Sequence, residues 1–202
     1  MIGLKLWFYN HFKHVTFVAG NDCSIDKLRI AVCGKNNTII LGDHVHLDNV
    51  EIKVYGNNNQ IIIESNNSIN GIRIAIEDDN NQIKIDNYVY IAPGSLLAAL
   101  EGTKISIGKE CMIDCEIRTS DSHSITDMEG NRINPAKDVE IGDHVWIGNG
   151  CMILKGCKIP DHTIVAARSL VTSTATFESY SLWGGTPARL LKKNINWKKE
   201  RK

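Results

Sequence analysis

No sign of charge prevails in this chain of 202 residues: 23 lysines and arginines face 23 aspartates and glutamates. Without a net field, the chain as a whole is not built to collect nucleic acid or an anionic membrane surface. An apolar run long enough to cross a bilayer is also missing. The opening stretch, MIGLKLWFYNHFKHVTFVAG, is broken by Asn10, His11, Lys13 and His14 and lacks a small-residue cleavage site. The six cysteines are therefore expected to be free thiols in a reducing cytoplasm, not a disulfide framework. No pair of them is read as a zinc site, and no metal is expected. The repeating part of the chain also lacks the i, i+3, i+4, i+7 apolar spacing of an amphipathic helix.

What is present suits one soluble domain with a sizeable core, at 43% hydrophobic and 23% charged residues. Residues 1–33 are expected to form an N-terminal segment that packs on the domain, with 2–14 as an amphipathic helix or strand. A peripheral membrane contact through Trp7, Phe8 and Tyr9 is the lesser reading. The C-terminus is locally basic: Arg189, Lys192, Lys193, Lys198, Lys199, Arg201 and Lys202 are opposed there by Glu200 alone. That is either a solvated tail or a contact for an anionic ligand.

The dominant feature is a repeat. NNTIILG at Asn36, NNQIIIE at Asn58 and NNQIKID at Asn80 recur every 22 residues, making Leu41, Ile63, Ile85 and Ile107 equivalent. The next step of 22 lands on Glu129, which fits no copy, and the pattern resumes 12 residues later at Ile141. An insertion of about 12 residues thus interrupts the ladder within RTSDSHSITDMEGNRINPAKD (118–138). Beyond it Ile141, Ile147, Ile153, Ile159, Val165 and Val171 lie six apart. Small residues follow four positions after the first five of them, at Val145, Cys151, Cys157, Thr163 and Ser169. One aliphatic and one small residue per six suits an all-β, parallel β-helix of three flat faces, each hexapeptide giving a short strand and a corner. Stacked coils bury each other's aliphatic residues, and the asparagines supply the left-handed backbone that tight corners need. Cys111, Cys151 and Cys157 are read as compact interior filler.

The stretch IGDHVWIGNGCMILKGCKIPDHTIVAARSLVTS, followed by WGGTPARLLKK, resembles the hexapeptide-repeat acyltransferases, in particular the sugar and capsular-polysaccharide O-acetyltransferases. TSDSHSI resembles the capsule-type enzymes. The resemblance implies a left-handed parallel β-helix over 34–175, an extruded loop at about 119–138, and a C-terminal extension over 176–202 with a basic tail. It also implies a homotrimer with active sites between subunits, acetyl-CoA as acyl donor, and a sugar or polysaccharide acceptor.

Moving an acetyl group to a sugar hydroxyl requires a base for the hydroxyl proton, and a histidine titrating near neutrality suits that role. By resemblance His123 is that base, with Asp121 as its orienter and Glu129 as a second candidate. Trp146 matches a position flanking the acetyl–pantetheine channel or the acceptor, Gly148 counts with the cofactor-binding residues, and Asn149 matches the position whose backbone N–H meets the thioester oxygen. Ala167 and Thr172 match positions along the pantetheine arm. Arg189, with Lys192 or Lys193, matches the basic group near the nucleotide phosphates. His144 and His162, 18 apart, are expected to stack as exposed corner residues. The β-helical carbonic anhydrases place zinc histidines similarly but add an HxxxxH pair, which this sequence lacks. An asparagine that helps hold small acceptors in galactoside and maltose enzymes is missing from Ile91–Leu97, which points to a polymer in an open groove. Two other functions remain open: N-acetylation of a nucleotide-linked amino sugar, and a non-catalytic β-helical binding scaffold.

Overall fold

A computed structural model describes residues 15–200. Expectations for residues 2–14 and for Arg201 and Lys202 lie outside the described residues. The chain winds as β1 (Val15–Ala19), β2 (Ser24–Asp26) and β3 (Arg29–Cys33), then β4 (Asn37–Leu41), β5 (His46–Asp48) and β6 (Glu51–Tyr55). The next coils are β7 (Gln60–Ile63), β8 (Ser68–Asn70) and β9 (Arg73–Glu77), then β10 (Gln82–Ile85), β11 (Tyr90–Ile91) and β12 (Leu96–Leu100). Then come β13 (Lys104–Ile107) and β14 (Met112–Arg118), and, after the loop, β15 (Val139–Ile141) and β16 (Trp146–Ile153). The last turns hold β17 (Lys158–Ile159), β18 (Ile164–Val165) and β19 (Leu170–Val171), and the chain finishes with β20 (Ser181–Gly185) and β21 (Ala188–Lys193).

Strands one coil apart pair in parallel, which makes a triangular β-solenoid of the form expected. The first face is a seven-stranded sheet, β1-β4-β7-β10-β13-β15-β17. The second face runs β2-β5-β8-β11 and the third β3-β6-β9-β12. β14 and β16 pass unbroken from the second face to the third, joining the two into one 14-stranded sheet. The register follows the sequence interval. Leu41 pairs with Ile63, Ile63 with Ile85 and Ile85 with Ile107, each 22 apart. Ile107 then pairs with Ile141, 34 residues on, and Ile141 with Ile159, 18 on. The difference between 34 and 22 is the 12-residue insertion, extruded without disturbing the ladder.

Inside the prism Ile39, Ile61, Ile83 and Ile105 stack with the series above, all nearly or fully buried. Each such side chain contributes roughly 1.5–3 kcal/mol on leaving water. The crowded corners take the small residues: Val145, Cys151, Cys157, Thr163 and Ser169 are all buried. The first asparagine of each pair takes the left-handed conformation at its corner, with φ of 57° at Asn36, 57° at Asn58 and 61° at Asn80. The second points inward. Asn59 N donates to Asn37 Oδ1 (3.0 Å), Asn81 N to Asn59 Oδ1 (2.8 Å) and Thr103 N to Asn81 Oδ1 (3.0 Å). This buried amide ladder ends where Thr103 Oγ1 donates to Thr119 Oγ1 at 2.6 Å.

The boundary expected at residue 34 moves. β1, β2 and β3 form a full coil in register with the next, Val15 opposite Asn37 and Ile30 opposite Ile52. This coil escapes the repeat because it lacks the asparagine pair and still fills its interior with Val15, Phe17 and Cys23. The 176–202 extension closes the other end. β20 extends the second face beside β18, and β21 folds back antiparallel on β20. Among the described residues no helix is long and apolar enough to cross a membrane.

Candidate active site

His123 is exposed on the extruded loop, which leaves the corner between the third and first faces. The loop is ordered by hydrogen bonds rather than by a core. Ser122, just before the histidine, has φ of 66°, and its N–H donates to Ser120 Oγ at 3.0 Å. Ser120 Oγ in turn donates to Glu101 Oε1 at 2.5 Å. Arg132 forks onto the same carboxylate, with Nη1 2.5 Å from Oε2 and Nη2 2.9 Å from Oε1. These Arg132 and Ser120 bonds hold the Glu101 carboxyl down to about 2. Glu129, the second orienter candidate, sits in a tight turn where its N–H donates to Asp127 Oδ1 at 3.0 Å.

The Asp121 carboxylate is bonded to groups other than the His123 imidazole. Its Oδ2 accepts from Lys155 Nζ at 2.5 Å and from Asn134 Nδ2 at 2.8 Å. The Lys155 bond, then the Asn134 bond, keeps its carboxyl below the ordinary aspartate range. These bonds tie Asp121 to Asn134 and Lys155, and the link to His123 runs through backbone: Asn134 Nδ2 also donates to His123 O at 2.9 Å. Asn134, Lys155, Glu101 and Arg132 have no signature in the repeat, because their roles come from a loop closing on side chains 30 or more residues away in some cases.

The second face carries the other half of the expected machinery. Its outward residues in the N-terminal coils are polar: Ser24, His46 and Ser68 stand in register. From there the same row becomes Tyr90, Met112, Trp146, Ile164 and Leu182. Trp146 is 43% exposed. A groove of about 630 Å³ runs along this row, within the range of ligand pockets. It brings together four of the expected residues, Trp146, Gly148, Asn149 and Ala167. Gly148 fits because a Cβ there would lie 2.7 Å from Ala167 N and 3.0 Å from Ala167 Cα, so neighbouring coils close up only around a glycine. Asn149 Nδ2 donates to Asp114 Oδ2 at 3.0 Å on the groove wall.

The remaining expected residues separate. Lys192 pairs with Leu182, which lines the groove, and Arg189 pairs with Gly184 two residues further along β20. Both are exposed, at the C-terminal end of the groove. Thr172 is not in that lining. It follows β19 on the third face, where its Oγ1 is 2.8 Å from Thr174 Oγ1.

His144 and His162 occupy corners with φ of 53° and 57°, as does His44 at 56°. The expectation that the first two are exposed is corrected: both are half-buried. Trp197 stacks on His144 at 4.4 Å and Tyr180 on His162 at 4.4 Å, and the two imidazoles meet at a tilt of 54° with centroids 5.1 Å apart. Trp197 Nε1 donates to His144 O at 2.8 Å, so the end of the chain seals this corner.

A further groove, of about 370 Å³, lies on the outside of the third face. Leu96, Ala98 and Leu100 form its apolar floor, and Lys53, Tyr55, Arg73 and Arg118 stand around it. Ser122 also lines it, so the groove reaches the residue before His123.

Comparison with known proteins agrees with this geometry. Residues 138–173 match the family model "Bacterial transferase hexapeptide (six repeats)". A polysialic acid O-acetyltransferase of Neisseria meningitidis is 53% identical over 66 residues, 31% of this chain and 30% of that protein. A polysialic acid O-acetyltransferase of Escherichia coli O1:K1 / APEC is 36% identical over 96 residues, 46% of this chain and 31% of that protein. The aligned part of this chain thus spans about a third of the length of these curated relatives. The solved structure of the polysialic acid O-acetyltransferase OatWY covers 92% of this chain, and 92% of its own chain is matched, with a TM-score of 0.73 and 28% identity. The chain is therefore a β-solenoid carrying the hexapeptide repeat of the bacterial transferases, similar in fold over most of its length to the polysialic acid O-acetyltransferases.

Proposed function

We propose that this protein is an O-acetyltransferase that moves an acetyl group from acetyl-CoA to a hydroxyl of a bacterial surface glycan or its sugar precursor. The likeness to OatWY over 92% of both chains carries the reading, because it extends far beyond the repeat matched at 138–173. His123 takes the proton as the acceptor oxygen attacks the thioester carbonyl. The C–S bond then breaks, and the thiolate of CoA recovers the proton from the imidazolium, so acetyl passes directly between the two substrates. The groove beside Trp146 suits the acyl-pantetheine arm: its walls are mostly apolar, and Asn149 brings a backbone N–H to the position that faces the thioester oxygen. Lys192 and Arg189 lie where the phosphates of CoA would emerge.

In this proposal three copies assemble, and each site forms between two of them. Within one chain the first face separates the corner that releases the His123 loop from the corner that carries Trp146, a width of about 15 Å for a strand of four or five residues. A neighbouring copy laid against the Tyr90–Leu182 row covers an outward apolar stripe and brings its own His123 to Trp146. The third-face groove below His123 is then the acceptor side, with its apolar floor for sugar ring faces and Lys53, Arg73 and Arg118 for acidic substituents. A cytoplasmic reaction fits this reading, with acetyl-CoA as the donor and the described cysteines as free thiols.

The test is thiol release from acetyl-CoA in the presence of a panel of capsular and lipopolysaccharide glycans, acidic and neutral. An acidic polymer is expected to give turnover that disappears in His123→Ala. Turnover with no glycan in the panel, or with one but undiminished in His123→Ala, would contradict the proposal.

A further inference from the structure

We infer that Asn134, held by Lys155 and Asp121, is the positioning residue that sets the backbone of His123. The inference rests on His123 being the base.

Asn134 is 8% exposed, whereas residues 121–133 of the loop are all exposed. Its side-chain amide spans the histidine from both sides: Nδ2 donates to His123 O at 2.9 Å, and Oδ1 accepts from Ile125 N at 2.7 Å. A strand neighbour in a parallel sheet satisfies the C=O of one residue and the N–H two residues on in the same way. A single side chain thus gives His123, Ser124 and Ile125 the support of a missing strand.

Asn134 is itself fixed to the solenoid. Lys155, in the turn after β16, donates from Nζ to Asn134 O at 2.9 Å and to Asp121 Oδ2 at 2.5 Å. Asp121 Oδ2 accepts the remaining Asn134 Nδ2 proton at 2.8 Å. The Lys155 side chain is only 17% exposed, and its charge is paired by Asp121 at that position. A rigid coil therefore holds an ion pair, the ion pair holds an amide, and the amide holds the peptide that bears the imidazole. Small displacements of a catalytic group cost about 10²-fold in rate per ångström. The clamp bonds to the backbone around His123 and not to its imidazole, so it acts on catalysis through position.

The experiment compares kcat, the KM for acetyl-CoA and the pH–rate profile across variants of the full-length protein, with His123→Ala as the reference. Asn134→Ala is expected to lower kcat by about 10- to 100-fold. Its KM for acetyl-CoA should stay within about twofold and the midpoint of its pH–rate profile should not move, because the imidazole and the CoA groove are intact. Lys155→Met should show a smaller fall of the same kind, and Lys155→Arg should restore most of it. Asp121→Asn keeps an acceptor oxygen and is expected to lose less than about tenfold. If Asp121 instead held the imidazole directly, that variant would lose about 10⁴-fold, as in a triad lacking its carboxylate, and the inference would be wrong. Asn134→Ala with kcat within twofold of the parent, beside an inactive His123→Ala, would also overturn it. If Asn134→Ala loses CoA binding, the Lys155→Met and Lys155→Arg pair decides: equal activity in the two counts against the clamp. An active His123→Ala would instead remove the underlying reading, and the two failures are distinct.

Discussion

Replacing Asn59 by alanine should cost far more than replacing Asn57, two residues away in the same turn. Asn59 is 1% exposed. Its Oδ1 accepts from Asn81 N at 2.8 Å and from Asn81 Nδ2 at 3.1 Å, and its Nδ2 donates to Asp78 O at 3.0 Å. Alanine leaves Asn81 N as a buried donor with no acceptor, which costs about 1–3 kcal/mol. Asp78 O keeps a second donor, Asn81 Nδ2 at 3.2 Å, so its loss is only the net value of a satisfied bond, about 0.5–1.5 kcal/mol. The sum is about 1.5–4.5 kcal/mol, a large share of the 5–15 kcal/mol typical of a domain. Asn57 also bonds across coils, to Lys35 N at 2.9 Å and to Asp79 Oδ1 at 3.0 Å, but these bonds are exposed and water replaces them. Its alanine variant should stay within about 1 kcal/mol of the parent. Urea unfolding followed by far-ultraviolet circular dichroism reads both. Equal midpoints for the two variants would refute the idea that an interior amide ladder, and not surface asparagine pairing, stabilises these coils.

Two further outcomes follow from the same geometry. Burial pushes the Cys111 thiol up to about 12 and that of Cys157 up to about 11, and it raises Cys115 and Cys151 as well, while Cys33 is exposed. A thiol reagent at neutral pH should therefore label Cys33 quickly and the rest only after denaturation; fast labelling of several thiols would contradict the packed prism. Glu101, held at about 2 by Arg132 and Ser120, contributes stability that is fully present above its unfolded value of about 4.5 and is lost as pH falls towards 2. Cleavage of the extruded loop by pepsin should rise through that window, and Glu101→Gln should flatten the rise while exposing the loop at higher pH. Asp121, shifted the same way, leaves a residual step.

Much of the architecture was legible because a solenoid writes its geometry as an interval. Leu41, Ile63, Ile85 and Ile107 named one interior row, and the jump to Ile141 measured the extruded loop to the residue. The two asparagines of each pair look alike in sequence but do different work. Only the backbone path shows that the first turns the corner and the second fills the interior. The coil at 15–33 was hidden because Phe17 and Cys23 occupy places held elsewhere by the repeat's usual residues. In the site, Trp146, Gly148, Asn149 and Ala167 fall together because they lie on regular coils, where spacing sets position. The loop obeys no spacing. Asp121 sits two residues from His123 yet spends its carboxylate on Lys155 and Asn134, and no periodic argument reaches a contact that depends on how a 20-residue excursion closes.

The claim that His123 of one copy works with Trp146 of another is tested most directly by mixing two variants that each lack one half of the proposed site. His123→Ala and Trp146→Ala are each purified, unfolded together and refolded as mixed assemblies, and the rate of thiol release from acetyl-CoA with an acidic glycan acceptor is measured. A shared site predicts that the mixture regains a sizeable fraction of parent activity, since some interfaces then pair an intact His123 with an intact Trp146. A mixture as inactive as its two components would contradict the account and place both residues of each site within a single chain.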